Sequence, residues 1–186
     1  MAKNRKYAVI IILVTNAIII SFLESFIPIP IPVPGVKLGL GNIITMIAIV
    51  FLGLKDVLFI VIVRSFVVAI LTRGVVMLVL SLAGGILSAI VMWFLFKKLS
   101  RLFSVKGISI AGAIVHSTAQ ILAAGFFLGQ AVVMYYLPVL IVSSIITGLI
   151  TGSIAEIAIN EVAVKGVFAD DYKTKDQQFR EPGRSD

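Results

Sequence analysis

The stretch 27–42, IPIPIPVPGVKLGLGN, sets Pro28, Pro30, Pro32 and Pro34 in strict alternation with apolar residues. Each proline fixes its own φ, removes a backbone donor and pushes its predecessor out of the helical region. The strip is therefore not helix, and it reads as a stiff, extended connector of the polyproline kind. Long uncharged apolar runs stand on both sides of it, which makes it a rigid strap between two helices at one membrane face. Beyond the prolines, glycines let backbone approach closely, and Asn42 puts a polar group where the next helix begins. Two readings stand: an ordinary membrane loop, or a strap that covers or lines a solute site.

Composition settles the class. Hydrophobic residues make up 60% of the 186, charged residues 13%, and the mean hydropathy is +1.13, outside the range of soluble domains. The excess lies in long runs, the mark of a polytopic membrane protein. Cysteine is absent, so disulfides, thiolate metal sites and cysteine nucleophiles are excluded. The single histidine argues against a multi-histidine metal site, and no metal or cofactor is expected. The formal charge of +7 would suggest nucleic acid in a soluble protein; here topology accounts for it, and no nucleic-acid partner is expected.

The predicted fold is all-α and integral to the membrane, with six spans at 7–27, about 38–54, 57–72, 74–96, 108–128 and 131 to about 159. The first run is too long for a signal-peptide core, and no small-residue cleavage site follows it. Spans 2 and 3 fall short of the roughly 20 residues a bilayer requires, so a single re-entrant hairpin is the rival topology there. With both termini inside, thirteen of the 16 Lys and Arg residues lie on the cytoplasmic side: Lys3, Arg5, Lys6, Lys55, Lys97, Lys98, Arg101, Lys106 and five in the tail. Lys37 and Arg73 face outward and Arg64 lies within span 3. Short-loop Lys/Arg bias sets orientation, so both termini are placed in the cytoplasm and the strap, 27–37, outside. The membrane domain is 1–160; the polar tail, 161–186, reads as disordered cytoplasmic chain. Its Asp170 and Asp171, in ADDYKTKD, lack the DDxxD spacing that would hold magnesium against a diphosphate.

Polar residues inside the spans are costly in hydrocarbon unless paired or facing water. Arg64 needs a carboxylate, carbonyls or an anionic ligand; Glu24 and Glu156 are the candidate carboxylates of an ion pair that fixes packing. His116 and Gln120 lie one turn apart on span 5, placed to bond either a solute's polar edge or a neighbouring helix. Span 4 offers Ser81, Gly84, Gly85 and Ser88. Span 1 repeats Ala17, Ser21 and Ser25, and span 6 repeats Ser144, Gly148 and Gly152 before Glu156. Such faces allow close helix approach, as seams within the chain or docking faces for another subunit. No GxxxxGK[ST] loop occurs, so any active transport takes its energy from a partner or an ion gradient. No inverted repeat relates the halves.

The strap with PGVKLGLGN, the arginine-bearing span 3, SLAGGILSAIVM in span 4 and HSTAQ in span 5 together resemble the Gx transporter family of bacteria, also called heptaprenyl diphosphate synthase component I. The likeness covers roughly 7–160, and that group is similar to S components of energy-coupling factor transporters. The resemblance implies a six-helix, S-component-like bundle in the bacterial cell membrane that captures a vitamin- or cofactor-like solute at its outer face. It also implies a membrane T component and two cytoplasmic ATPases as partners. It places the solute under the first loop, where Lys37, Asn42, Ser81, His116 and Gln120 fall, with Lys37 and Arg73 at the rim. Such a pocket suits a largely apolar or aromatic solute with a few hydrogen-bonding edges, with or without an anionic end. S components often carry AxxxA on span 1, where this chain has Ala17, Ser21 and Ser25. The family's other name implies a competing role: a non-catalytic membrane component of heptaprenyl diphosphate synthesis. A ligand-free membrane anchor is the third reading.

Topology is checked by labelling. Cysteines introduced at Val33 and Gly129 should react with an impermeant reagent from outside, and one at Ser104 only after permeabilisation. External labelling of Ser104 would overturn the orientation.

Overall fold

The computed structural model describes residues 3–27, 39–72, 74–129 and 131–164. The proline strip, Lys37, Arg73 and the polar tail beyond Val164 lie outside the described residues. Six α-helices follow one another: α1 (Lys3–Glu24), α2 (Asn42–Phe51), α3 (Leu54–Thr72), α4 (Val75–Lys98), α5 (Val105–Leu128) and α6 (Leu137–Val164). A 3-10 segment, Ala131–Tyr136, leads into α6. Within the sixth span the α-helix begins at Leu137, because Pro138 fits the first turn of a helix, where its missing N–H costs nothing. Ser104 caps α5 by accepting from the Gly107 N–H at 3.2 Å, and Gly129 ends it at φ +64°.

The clearest departure from the sequence reading is α2. A full span was expected at about 38–54, yet the helix has ten residues, roughly 15 Å at 1.5 Å per residue. That is about half of a 30 Å hydrocarbon core. Its hydropathy comes from burial within the protein, not from lipid. Nine of its residues, all but Ile43, are buried, and it packs on each of the other five helices. A helix apolar on every side belongs inside a bundle. Leu52 breaks it with extended backbone, and Gly53 precedes α3.

The larger core surrounds α2. Ile10, Leu13 and Ala17 of α1, Val57, Ile60 and Val61 of α3, Ala89, Met92 and Phe96 of α4, Ile108 of α5 and Ala155 of α6 close on Met46 through Phe51. A smaller cluster joins Leu80, Ile121, Ala124, Val133 and Leu140 at the other end of α4, α5 and α6. Two ion pairs mark the charged end of the bundle. Lys6 Nζ lies 2.8 Å from Asp56 where α1 and α3 both begin, and Lys106 Nζ lies 3.3 Å from Glu156.

Among the described residues, four helices are long and apolar enough to cross a membrane: α1, α4, α5 and the segment ending in α6. Their outer faces carry large exposed apolar side chains such as Ile11, Leu87, Phe126 and Ile146, as a lipid-facing surface does. The chain is a multi-pass membrane protein. Helix α3, 19 residues long, carries Lys55, Asp56 and Arg64.

The small-residue stripe of α6 is an internal seam. A Cβ on Gly148 would lie 2.6 Å from the Ile110 Cα, and one on Gly152 2.8 Å from the Lys106 Cα, both backbone atoms of α5. Between them Ser109 and Thr151 bond at 3.0 Å, and Ser144 bonds Ser117 at 2.7 Å. Gly148→Ala should therefore force α5 and α6 apart, at the roughly 1–3 kcal/mol typical of overpacking. The thermal midpoint of the detergent-purified protein should fall; an unchanged midpoint would contradict this packing.

Candidate functional site

Helix α2 starts inside the protein, so its N-terminus is where buried backbone polar groups need partners. The chain enters through Gly39, whose φ of +89° a side chain would strain, and turns at Leu40 and Gly41. Glu24, the last residue of α1, reaches this turn. Its Oε1 accepts from the Gly39 N–H at 2.6 Å and the Leu40 N–H at 3.2 Å. A carboxylate beside a helix N-terminus is favourable on both hydrogen-bonding and dipole grounds. Glu24 is thus a clasp that fixes the entry to α2.

Arg64 comes to the same place from α3. It is 3% exposed, as is Glu24. Its guanidinium occupies the space a side chain on Gly41 would need: a Cβ there would overlap Arg64 Nη1 and come within 2.7 Å of Ser21 Oγ. On the other side, a Cβ on Gly85 of α4 would lie 3.2 Å from Arg64 Nη2. Glu24 acts on the guanidinium electrostatically. The ion-pair contacts found among the described residues are Lys6–Asp56 and Lys106–Glu156, which leave Arg64 out. Arg64 Nε has no hydrogen-bond partner among the described residues.

Ser21, Glu24, Gly39, Gly41, Arg64, Ser81 and His116 line a small cavity at this point, of about 10 Å³. Ser81 is held by Ser65 of α3, hydroxyl to hydroxyl at 3.0 Å. His116 is buried between the entry loop and α4: Cβ atoms on Gly39 and Gly84 would meet its ring at 3.4 and 3.0 Å. Gln120 packs beside it against Gly84. Asn42, the first residue of α2, lies under Gly39, fully enclosed; neither end of its amide finds a partner among the described residues. One cation, one carboxylate, two hydroxyls and an imidazole therefore converge on a water-sized space.

Of the residues singled out in the sequence, Ser81 and His116 line this chamber, Asn42 and Gln120 stand directly behind it, and Lys37 and Arg73 lie outside the described residues. Arg64 and Glu24, read as a packing pair, are part of the chamber wall. Glu156 is not a partner of Arg64: it pairs with Lys106 at the opposite, charged end of the bundle. Ala17 and Ser21, read as a packing or docking stripe, face inward, and Ser21 borders the cavity. Ser25 donates to the Ser21 carbonyl at 2.9 Å. Gly41 was missed as a contact of the arginine; its position directly before a buried helix start was the available signal.

The Gly41–Arg64 contact is testable by a double-mutant cycle. Gly41→Ala should lower the thermal midpoint of the wild type and cost less when combined with Arg64→Gln, whose shorter side chain vacates the space. The coupling should lie in the range of about 0.5–3 kcal/mol seen for touching residues. Additive effects would contradict the contact.

No curated relative and no solved structure matches the chain. The family description heptaprenyl diphosphate synthase component I matches residues 13–158, from the first helix through most of α6 and across every residue of the chamber. The chain belongs to the heptaprenyl diphosphate synthase component I family.

Proposed function

We propose that the chain is a non-catalytic, membrane-embedded component of heptaprenyl diphosphate synthesis. The observation that carries this reading is the family match over 13–158. The sequence has no DDxxD pair to hold magnesium against a diphosphate, so bond formation falls to another subunit. The membrane component would supply what a soluble enzyme lacks. A heptaprenyl chain is a long hydrocarbon with an anionic head, and a bundle with lipid-facing apolar helices and a buried cationic chamber suits both ends of such a molecule.

A second reading is favoured by one specific observation. The chamber is enclosed at Glu24, Gly39 and Gly41, away from the charged end of the bundle where Lys6 and Lys106 are paired. A solute-capturing subunit resembling the S components of energy-coupling factor transporters would hold its ligand at such a place, beneath the first loop. It would then need a membrane T component and two ATPases to move it.

Gentle solubilisation from its native membrane and affinity purification separate the two readings. We expect a soluble prenyl synthase to co-purify in stoichiometric amount. Recovery of a T component with two ATPases would overturn that in favour of solute capture, and recovery of neither would overturn both.

A further inference from the structure

Arg64 is a buried cation that makes no ion-pair contact among the described residues. A guanidinium offers five N–H donors and no acceptor. This one is 3% exposed, and its Nε has no partner among the described residues. A buried charge is normally retained only with partners of good geometry, since desolvating it costs several kcal/mol. The bland explanation is a structural ion pair with Glu24. Against it, the oxygen of Glu24 that is bonded, Oε1, takes the two backbone N–H groups of Gly39 and Leu40, and the guanidinium receives no ion-pair contact. Ordered water does not close the account either. The cavity holds about one molecule, and a water has two acceptor sites for five donors.

A second positive feature points the same way. Gly41, the N-cap residue of α2, borders the cavity, which puts the cavity beside the positive end of the helix dipole. A cation placed at a helix N-terminus is repelled by it, so two positive features share one buried space. Among the described residues, the one carboxylate lining that space is Glu24. It is held by the backbone N–H groups that lead into α2, as a bound anion would be.

We propose that this chamber receives the oxyanion end of a ligand, a carboxylate or a phosphate, and that the Glu24 carboxylate stands in the anion's place until the ligand displaces it. Arg64 is the principal binding residue, and Ser21, Ser81 and His116 line the space the oxyanion enters. With room for a single water, entry requires Glu24 to turn away or the Gly39–Gly41 turn to shift; the second releases the clasp on α2. The inference rests on reading the chamber as a ligand site and is independent of which soluble partner the chain recruits.

The two charged residues then have opposite effects on binding, which a structural ion pair would not produce. The test follows the thermal midpoint of the full chain in detergent through the fluorescence of Trp93, the one tryptophan. Potassium acetate, phosphate or pyrophosphate is titrated against chloride of matched ionic strength. Wild type should be stabilised beyond the chloride control; acetate against the phosphates identifies which oxyanion fits. Glu24→Gln, which keeps the shape and removes the competing charge, should lower the half-saturating concentration about tenfold or more, since a carboxylate in the anion's place opposes its entry by like-charge repulsion. Arg64→Gln should abolish the shift, and Arg64→Lys should restore part of it. An equal or higher half-saturating concentration in Glu24→Gln overturns the proposal, as does an undiminished shift in Arg64→Gln. Should Arg64→Gln fail to fold, the comparison of wild type with Glu24→Gln decides alone. Oxyanion binding without a co-purifying synthase would leave this inference standing and remove the functional reading; the converse result would do the reverse.

Discussion

The structure depends on where a ten-residue helix can begin. Helix α2 is too short to cross a bilayer and too apolar to lie outside one, so it is enclosed by the five other helices. Enclosure puts the approach to a helix N-terminus in the interior of a membrane protein, where each unsatisfied backbone N–H costs several kcal/mol. The Asn42 and Ile43 N–H groups donate to the Gly39 and Leu40 carbonyls, and Glu24 accepts from the Gly39 and Leu40 N–H groups in turn. The clasp thereby fixes the depth of α2. It also fixes the distance between α1 and the Arg64 guanidinium, and the chamber follows from that geometry.

The two ends of the bundle differ in how they handle charge. At one end Lys6–Asp56 and Lys106–Glu156 are partly exposed contact pairs, the kind that contributes little to stability. In the interior, Arg64 and Glu24 are both buried and not in contact. Stability alone would favour either direct pairing or apolar replacement of such a couple. An arrangement that does neither is better understood as a site, in which the unspent hydrogen-bonding capacity of the guanidinium is what a ligand uses. The apolar seams, by contrast, are spent: Gly148 and Gly152 are filled by the backbone of α5, and their stripe is part of the fold.

Much of this was readable from residue types. Uncharged apolar runs pointed to helices and membrane; the cost of a charge in hydrocarbon singled out Arg64, and small-residue spacing marked α6 as a face of close approach without naming what packs on it. The length of α2 was not readable, because a stretch such as NIITMIAIVF has the same composition whether lipid or protein surrounds it. The choice between Glu24 and Glu156 was likewise hidden, since it depends on how deep each helix end sits, which no spacing reports. Ser21 looked like a packing residue because its four-residue spacing with Ala17 and Ser25 fits a seam. The chamber wall and the seam use the same small residues. Gly41 was legible only with α2 in place, as the backbone position that makes room for a guanidinium.

The central claim is that the buried guanidinium faces an anion position which Glu24 fills by default. Anomalous diffraction from crystals of the wild type and of Glu24→Gln soaked in selenate, an oxyanion with phosphate's shape, addresses it directly. The account predicts a selenate beside the Arg64 guanidinium, with higher occupancy in Glu24→Gln. An Arg64 fully bonded to protein groups in both crystals, with selenate present elsewhere but not at this position, would contradict it.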